Sequence, residues 1–154
     1  TAKDDSLKEL INYVPKICKS DYILWTHVTS PMFNEIDYFN FIKEFFLIKK
    51  KKKNLESAFS ADIIQKFITD KKGNWVSHNY QKKSWPRTQD LPPLYIVNSA
   101  AFLCERKIYI KEKNRLSKKP LAIKSRINSG FDIDSIEDFK ILKNGSYIKK
   151  FSKG

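Results

Sequence analysis

Glycine and cysteine are scarce in this chain of 154 residues: four glycines, Gly73, Gly130, Gly145 and Gly154, and two cysteines, Cys18 and Cys104. No linker rich in Gly or Ser marks a second domain, and none of the four glycines opens a phosphate-binding loop after a strand. The two cysteines lie far apart among apolar neighbours. They form neither a disulfide framework nor a metal-binding spacing, and read as buried thiols of a reducing compartment, with the cytoplasm as the expected location. No apolar run is long enough to span a membrane, and the opening residues do not read as a signal peptide, so no membrane partner is expected. Acidic residues are also in deficit, 17 Asp and Glu against 30 Lys and Arg, for a net charge of +13.

What is present is core material. A hydrophobic content of 41% and an aromatic content of 14% fit a single globular domain over residues 1–154. The basic residues are mostly lysines spread along the chain. Their one dense run, 49–53, follows a predicted helix, where cations suit the negative end of the helix dipole. A positive field of this size fits an anionic substrate such as a nucleotide, a nucleic acid, or simply a Lys-rich genomic habit.

Residues 6–18 carry Leu7, Leu10, Ile11, Val14 and Ile17 at helical spacing behind Ser6 as N-cap, with Pro15 predicting a bend or an end. Residues 22–28 are a short, nearly continuous apolar and β-branched run, the pattern of a strand buried on both faces of a parallel sheet. Thr29-Ser30-Pro31 stops it, and 34–47 reads as an aromatic-rich helix. Residues 55–64 read as a strand with Ala58, Ser60 and Asp62 on one face. A turn over 70–75 joins two further strand-like pieces. Residues 78–93, punctuated by Pro86, Pro92 and Pro93, form an ordered excursion around Trp85. A core strand over 94–103 is interrupted by Asn98-Ser99, then a short helix over 104–109 and a last strand over 120–123 follow. Helix, buried strand, loop, helix is the rhythm of an α/β fold, in which ligands sit beyond the carboxyl ends of the strands.

That rule makes His27, Thr29 and Ser30 candidate site residues. Each has a plain alternative: a hydrogen-bonded histidine at a strand end, and an ordinary turn. Asn98 and Ser99 either bond to neighbouring backbone or face a ligand. In Gly130-Phe131-Asp132-Ile133-Asp134-Ser135-Ile136-Glu137-Asp138-Phe139, a strand reading points Asp132 and Asp134 to one face. A helix carrying Ile136, Phe139, Ile141 and Leu142 follows. Two such carboxylates can hold Mg²⁺ against phosphate oxygens. Equally, Asp134 with Glu137, or Ser135 with Asp138, makes a capping box that needs no ligand.

Three motifs stand in a fixed order: Trp25-Thr26-His27-Val28-Thr29-Ser30-Pro31, then Ser84-Trp85-Pro86-Arg87-Thr88-Gln89-Asp90-Leu91-Pro92-Pro93, then Phe131-Asp132-Ile133-Asp134 through Asp138-Phe139, with Val97-Asn98-Ser99-Ala100 between the last two. This combination resembles the acylneuraminate cytidylyltransferases, also called CMP-sialic acid synthetases. Close relatives act on legionaminic, pseudaminic or 3-deoxy-manno-octulosonic acid. The resemblance runs from Tyr22 to Phe139. It implies a three-layer α/β nucleotidyltransferase core, nucleotide-diphospho-sugar transferase-like, with a mostly parallel sheet. In the implied reaction, the anomeric hydroxyl of a nine-carbon ulosonic acid attacks the α-phosphate of CTP, releasing pyrophosphate and leaving a CMP-sugar.

By the same resemblance, Asp132 and Asp134 are catalytic and hold Mg²⁺. Arg87 is a catalytic cation for a carboxylate or phosphate. His27, Thr29, Ser30, Asn98 and, more loosely, Lys66 contact substrate, and His27 stands where relatives usually carry glutamine. Residues 64–93 would be a dimerisation excursion reaching a neighbour's site, so a homodimer is expected, with Phe67, Trp75 and Trp85 supplying aromatic area. The family opens with a strand and a glycine- and lysine- or arginine-bearing loop around CTP, and nothing like it occurs in these residues. The chain is therefore expected to match about the later two-thirds of a member, with an incomplete sheet and little activity alone. Two other readings stand beside this one. A basic nucleic-acid-binding module has charge and aromatics in its favour, but no RNA-binding signature supports it. A catalytically inactive dimerisation subunit is the other, and the retention of both Asp132 and Asp134 speaks against it.

Overall fold

A computed structural model of the chain describes residues 4–143. Its elements are α1 (Asp4–Ile17), β1 (Tyr22–Thr26), α2 (Glu35–Lys51), β2 (Ser57–Ile64), β3 (Leu94–Glu105), α3 (Arg106–Glu112), β4 (Leu121–Lys124) and α4 (Ile136–Lys143), with a 3₁₀ turn at Thr88–Asp90 between β2 and β3. The strands form one sheet in the order β1-β3-β2-β4. β2 and β4 are parallel, and β3 runs antiparallel to both β1 and β2. Three of the described strands thus point one way and β3 alone is reversed, which makes a mixed α/β sheet.

Helices cover both faces. On one, Phe33, Phe41 and Phe45 from α2 and the loop before it pack on Ala58, Ala100, Leu103 and Ile123. On the other, Ile11 of α1 and Ile108 and Tyr109 of α3 enclose Ile23 and Cys104. Leu103 and Cys104 are successive on β3 and so face opposite layers. Each buried phenylalanine contributes about 1.5–3 kcal/mol of hydrophobic stabilisation. Burial pushes the Cys104 thiol up to about 12, so it is an inert packing group.

The start of α2 is set locally. The Asn34 side chain accepts from the Ile36 and Asp37 amides while Asp37 accepts from the Asn34 amide, a closed capping box. Arg126 then forks onto the same Asp37 carboxylate at 3.1 and 2.9 Å, tying α2 to the loop after β4.

Several sequence expectations are corrected here. α1 runs past Pro15 to Ile17 because the Cys18 amide still reaches Val14 O at 2.9 Å. The Arg106 guanidinium also donates to the carbonyls of Pro15 and Cys18 at the end of the helix. β1 is an edge strand of the described sheet, paired antiparallel with β3, and Leu24 is exposed; its apolar run did not signal burial on both faces. β3 extends through Glu105, so the third helix starts only at Arg106.

The interruption at Asn98-Ser99 is real and is a bulge. Phe59 pairs with Phe102 but Ala61 pairs with Val97, so β3 carries extra residues opposite Ser60. Ser99 adopts a left-handed φ of 62° there. Ser60 Oγ donates to Asn98 Oδ1 at 2.6 Å and accepts from the Ala101 amide at 2.9 Å, closing the bulge. Gly130 lies directly on the Asn98 side chain, where an added Cβ would come within 2.0 Å of Nδ2.

Gly130→Ala is therefore expected to expel the Asn98 amide and lower stability by about 1–3 kcal/mol in denaturant unfolding. An unchanged midpoint would show that the loop relaxes freely. Ser99→Val should likewise cost about 1–3 kcal/mol, whereas Ser99→Gly should be tolerated, because only glycine takes this φ without strain. Equal stabilities for the two Ser99 variants would refute the strain.

Candidate functional site

The carboxyl end of β1 turns sharply at residues 27–33, with the Ser30 amide bonded to His27 O and the Phe33 amide to Ser30 O. The acidic segment after β4 docks on this turn. The Ile133 amide donates to Thr29 O at 2.8 Å. The buried Ser30 hydroxyl donates to Asp132 Oδ1 at 3.3 Å across 102 residues of sequence. Two residues before Asp132, Gly130 rests on Asn98. His27, Thr29, Ser30, Asn98 and Asp132 are thus drawn together where β1 and β4 end and β3 bulges.

Asn98 is 7% exposed, and its amide is fully engaged by the protein. Oδ1 accepts from Ser60 and from the Ala100 amide; Nδ2 donates to Asp62 Oδ1 at 3.1 Å and Ser125 Oγ at 2.8 Å. Those four bonds are the whole capacity of a carboxamide. An open cleft of about 520 Å³ lies alongside, lined by Asp62, Gln65, Lys124, Ser125 and Phe131 among others, a volume that suits a small molecule.

Residues 131–134 form no strand, so the two-residue periodicity does not place the carboxylates. Contacts do. Asp132 is half-buried through Ser30, and Asp134 is exposed. Ser135 and Asp138 make the capping box: the Ser135 amide and hydroxyl donate to Asp138 Oδ2 at 2.9 and 2.7 Å, and the Asp138 amide returns to Ser135 Oγ. The Ser135 bonds hold the Asp138 carboxyl below its ordinary range. The cap uses Asp138 and leaves the Asp134 carboxylate outside it. Among the described residues no three His, Cys, Asp or Glu side chains cluster to hold a metal. Asp132 and Asp134 can therefore offer only part of a coordination shell. A partial carboxylate shell completed by water and phosphate oxygens is how Mg²⁺ is commonly bound.

Burial holds the His27 imidazole below its ordinary pKa, with Arg115 adding to the effect and Asp132 opposing it. Its Nε2 lies 3.0 Å from Arg115 Nη1. Since a guanidinium only donates, His27 accepts on Nε2 and is neutral, carrying its proton on Nδ1. Sequence reading passed over Arg115, which sits in the basic run 111–119; an arginine among lysines was the one signal available.

Lys66 and Arg87 are not brought to this cluster within the chain. Both are exposed, and Arg87 forks onto Asp90 at 3.0 and 3.1 Å. They belong to the excursion, which is ordered by its own contacts. Phe67 stacks on Trp85 at 4.4 Å, Trp75 meets both rings edge-on, and Gln65 bonds to Leu91 O at 2.6 Å. Trp85 nonetheless remains 68% exposed.

No protein-family model matches the chain, and no curated protein matches it in sequence. Among solved structures, it is similar to 4-diphosphocytidyl-2C-methyl-D-erythritol synthase from Anaerococcus prevotii DSM 20548, with a TM-score of 0.53 at 15% identity. The match covers 97% of this chain and 65% of that one, so the chain spans less than two-thirds of its neighbour's length. At that identity the likeness concerns the fold alone: the mixed α/β architecture described above is shared with that enzyme.

Proposed function

We propose that the chain is the sugar- and metal-bearing part of a CTP-dependent nucleotidyltransferase that activates a sialic acid-like ulosonic acid as its CMP-sugar. The observation that carries this reading is the docking of the Asp132 segment on the Thr29-Ser30 turn, which joins two of the motifs on which the resemblance rests. The structural neighbour's name, a diphosphocytidyl synthase, is consistent with cytidine nucleotide chemistry. In this reaction the anomeric oxygen bonds to the α-phosphorus as the bond to pyrophosphate breaks, and the protein contributes positioning and charge neutralisation. Asp132 and Asp134 would hold Mg²⁺, whose charge offsets that of the triphosphate. Asn98 keeps Asp62 and the acidic loop in place. His27 offers Nδ1–H to the sugar in place of glutamine's amide. Arg87, Lys66 and the exposed Trp85 belong to a homodimer contact through which the excursion serves the partner's site.

Pyrophosphate release from CTP, Mg²⁺ and N-acetylneuraminic acid by the full-length protein tests this. Asp134→Asn should lower the rate by about 100-fold or more; an undiminished rate removes the metal role. These 154 residues alone should turn over little.

The neutral state of His27 has its own signature. Its folded pKa lies below the ordinary value of 6.5, so the unfolded chain binds a proton that the folded one resists. Stability should therefore fall as pH drops through and below about 6.5. His27→Gln should lose less stability than the native chain between about pH 7.5 and 5.5. Identical pH dependence of the urea midpoints would contradict a neutral His27.

A further inference from the structure

We infer that Arg115 is an oxyanion-binding residue of this site, taking a carboxylate or a phosphate on the guanidinium N–H groups that its protein contacts leave free. This deepens the transferase reading and rests on it for the identity of the anion. Arg115 Cζ sits 4.0 Å from the Phe102 ring centroid and 5.5 Å from that of Trp25. Trp25 and Phe102 are directly paired across β1 and β3, so the aromatic platform under the guanidinium is built by the rigid sheet. Nη1 is directed to His27, which holds the fork in one orientation.

Among the described residues no carboxylate answers this charge. The ion pairs among the described residues involve Lys49, Lys83, Arg87, Lys107 and Arg126, and none involves Arg115. Among the described residues Nε and Nη2 have no acceptor, yet neither is sealed from solvent. A half-buried cation without an anion is unfavourable, and burial already depresses its pKa, though a guanidinium stays charged. A bound oxyanion supplies the missing charge, and the planar fork matches carboxylate and phosphate geometry as a lysine cannot. Arg115 and Asp132 act with opposite sign on the same imidazole, which ties the cation to the cluster at the end of β1. The sugar acid's carboxylate and the nucleotide's phosphates share the required chemistry.

The test follows the Arg115 Nε–H and Trp25 indole resonances of the ¹⁵N-labelled full-length protein. Inorganic pyrophosphate is titrated in one arm and N-acetylneuraminate in the other. A saturable shift of both resonances in either arm is expected, and the arm that responds identifies the source of the anion. Arg115→Met, which keeps an apolar stem on the two rings, should weaken binding in that arm by about tenfold or more, and Arg115→Lys should weaken it less. If the Met variant does not fold, the Lys variant carries the comparison, because it keeps the charge and loses the fork. No shift in either arm, or equal affinity in the native protein and the folded variants, overturns the assignment. A full-length protein that binds pyrophosphate through Arg115 but releases none from CTP sinks the transferase reading and leaves this one. Turnover by Arg115→Met with unchanged KM for both substrates does the reverse.

Discussion

The Asn98 carboxamide is the constraint on which the rest of this structure depends. It lies in the bulge of β3, and its four hydrogen bonds reach Ser60 and Asp62 of β2, the Ala100 amide of β3, and Ser125 just beyond β4. Gly130 closes over it and starts the acidic segment. A buried polar network of this kind rigidifies when every member is satisfied and destabilises when one is missing. Here it sets where β3 bends, where the loop after β4 begins and how Asp132 approaches Ser30.

From that constraint follows a division of labour among charged groups. Asp37 and Arg126 fasten α2 to the loop after β4, and Asp138 with Ser135 starts α4. These pairs are structural. Asp132, Asp134 and Arg115 are not absorbed in that way. Asp132 has one long hydrogen bond, Asp134 stands clear of the cap, and Arg115 faces rings and an imidazole in place of an acid. Charges that folding leaves incompletely answered are where a binding site is to be sought, and Arg115 and Asp132 both act on His27 at the end of β1.

The excursion follows a different logic. Phe67 stacks on Trp85 and Trp75 meets both edge-on, which leaves Trp85 largely open, and Tyr95, Ile96 and Val97 at the start of β3 are exposed as well. Arg87 is neutralised by Asp90, and nothing within the chain directs it at the Asp132 cluster. Within the described residues Lys66 and Arg87 meet none of the Asp132 cluster.

Local sequence determined the elements whose cause is local. The apolar spacing of Leu7 to Ile17, the helix beginning at Asn34, and the turn at Asp70 and Gly73 all have causes within a few residues, and all were legible; the Asn34 and Asp37 box is as local, but sequence reading passed over it. The polar break at Asn98-Ser99 also marked a special place in an apolar strand. Tertiary structure alone decided the rest, because its causes lie far apart in the chain. Strand direction depends on which neighbours are available, so β1 lies at the edge and β3 runs reversed. Asp132 and Asp134 are placed by Ser30, Thr29 and the Ser135 cap, and no strand periodicity is involved. Arg115 could not be told from the surrounding lysines until Trp25 and Phe102 were brought beneath it and His27 beside it, since only the fold decides which partners a guanidinium meets.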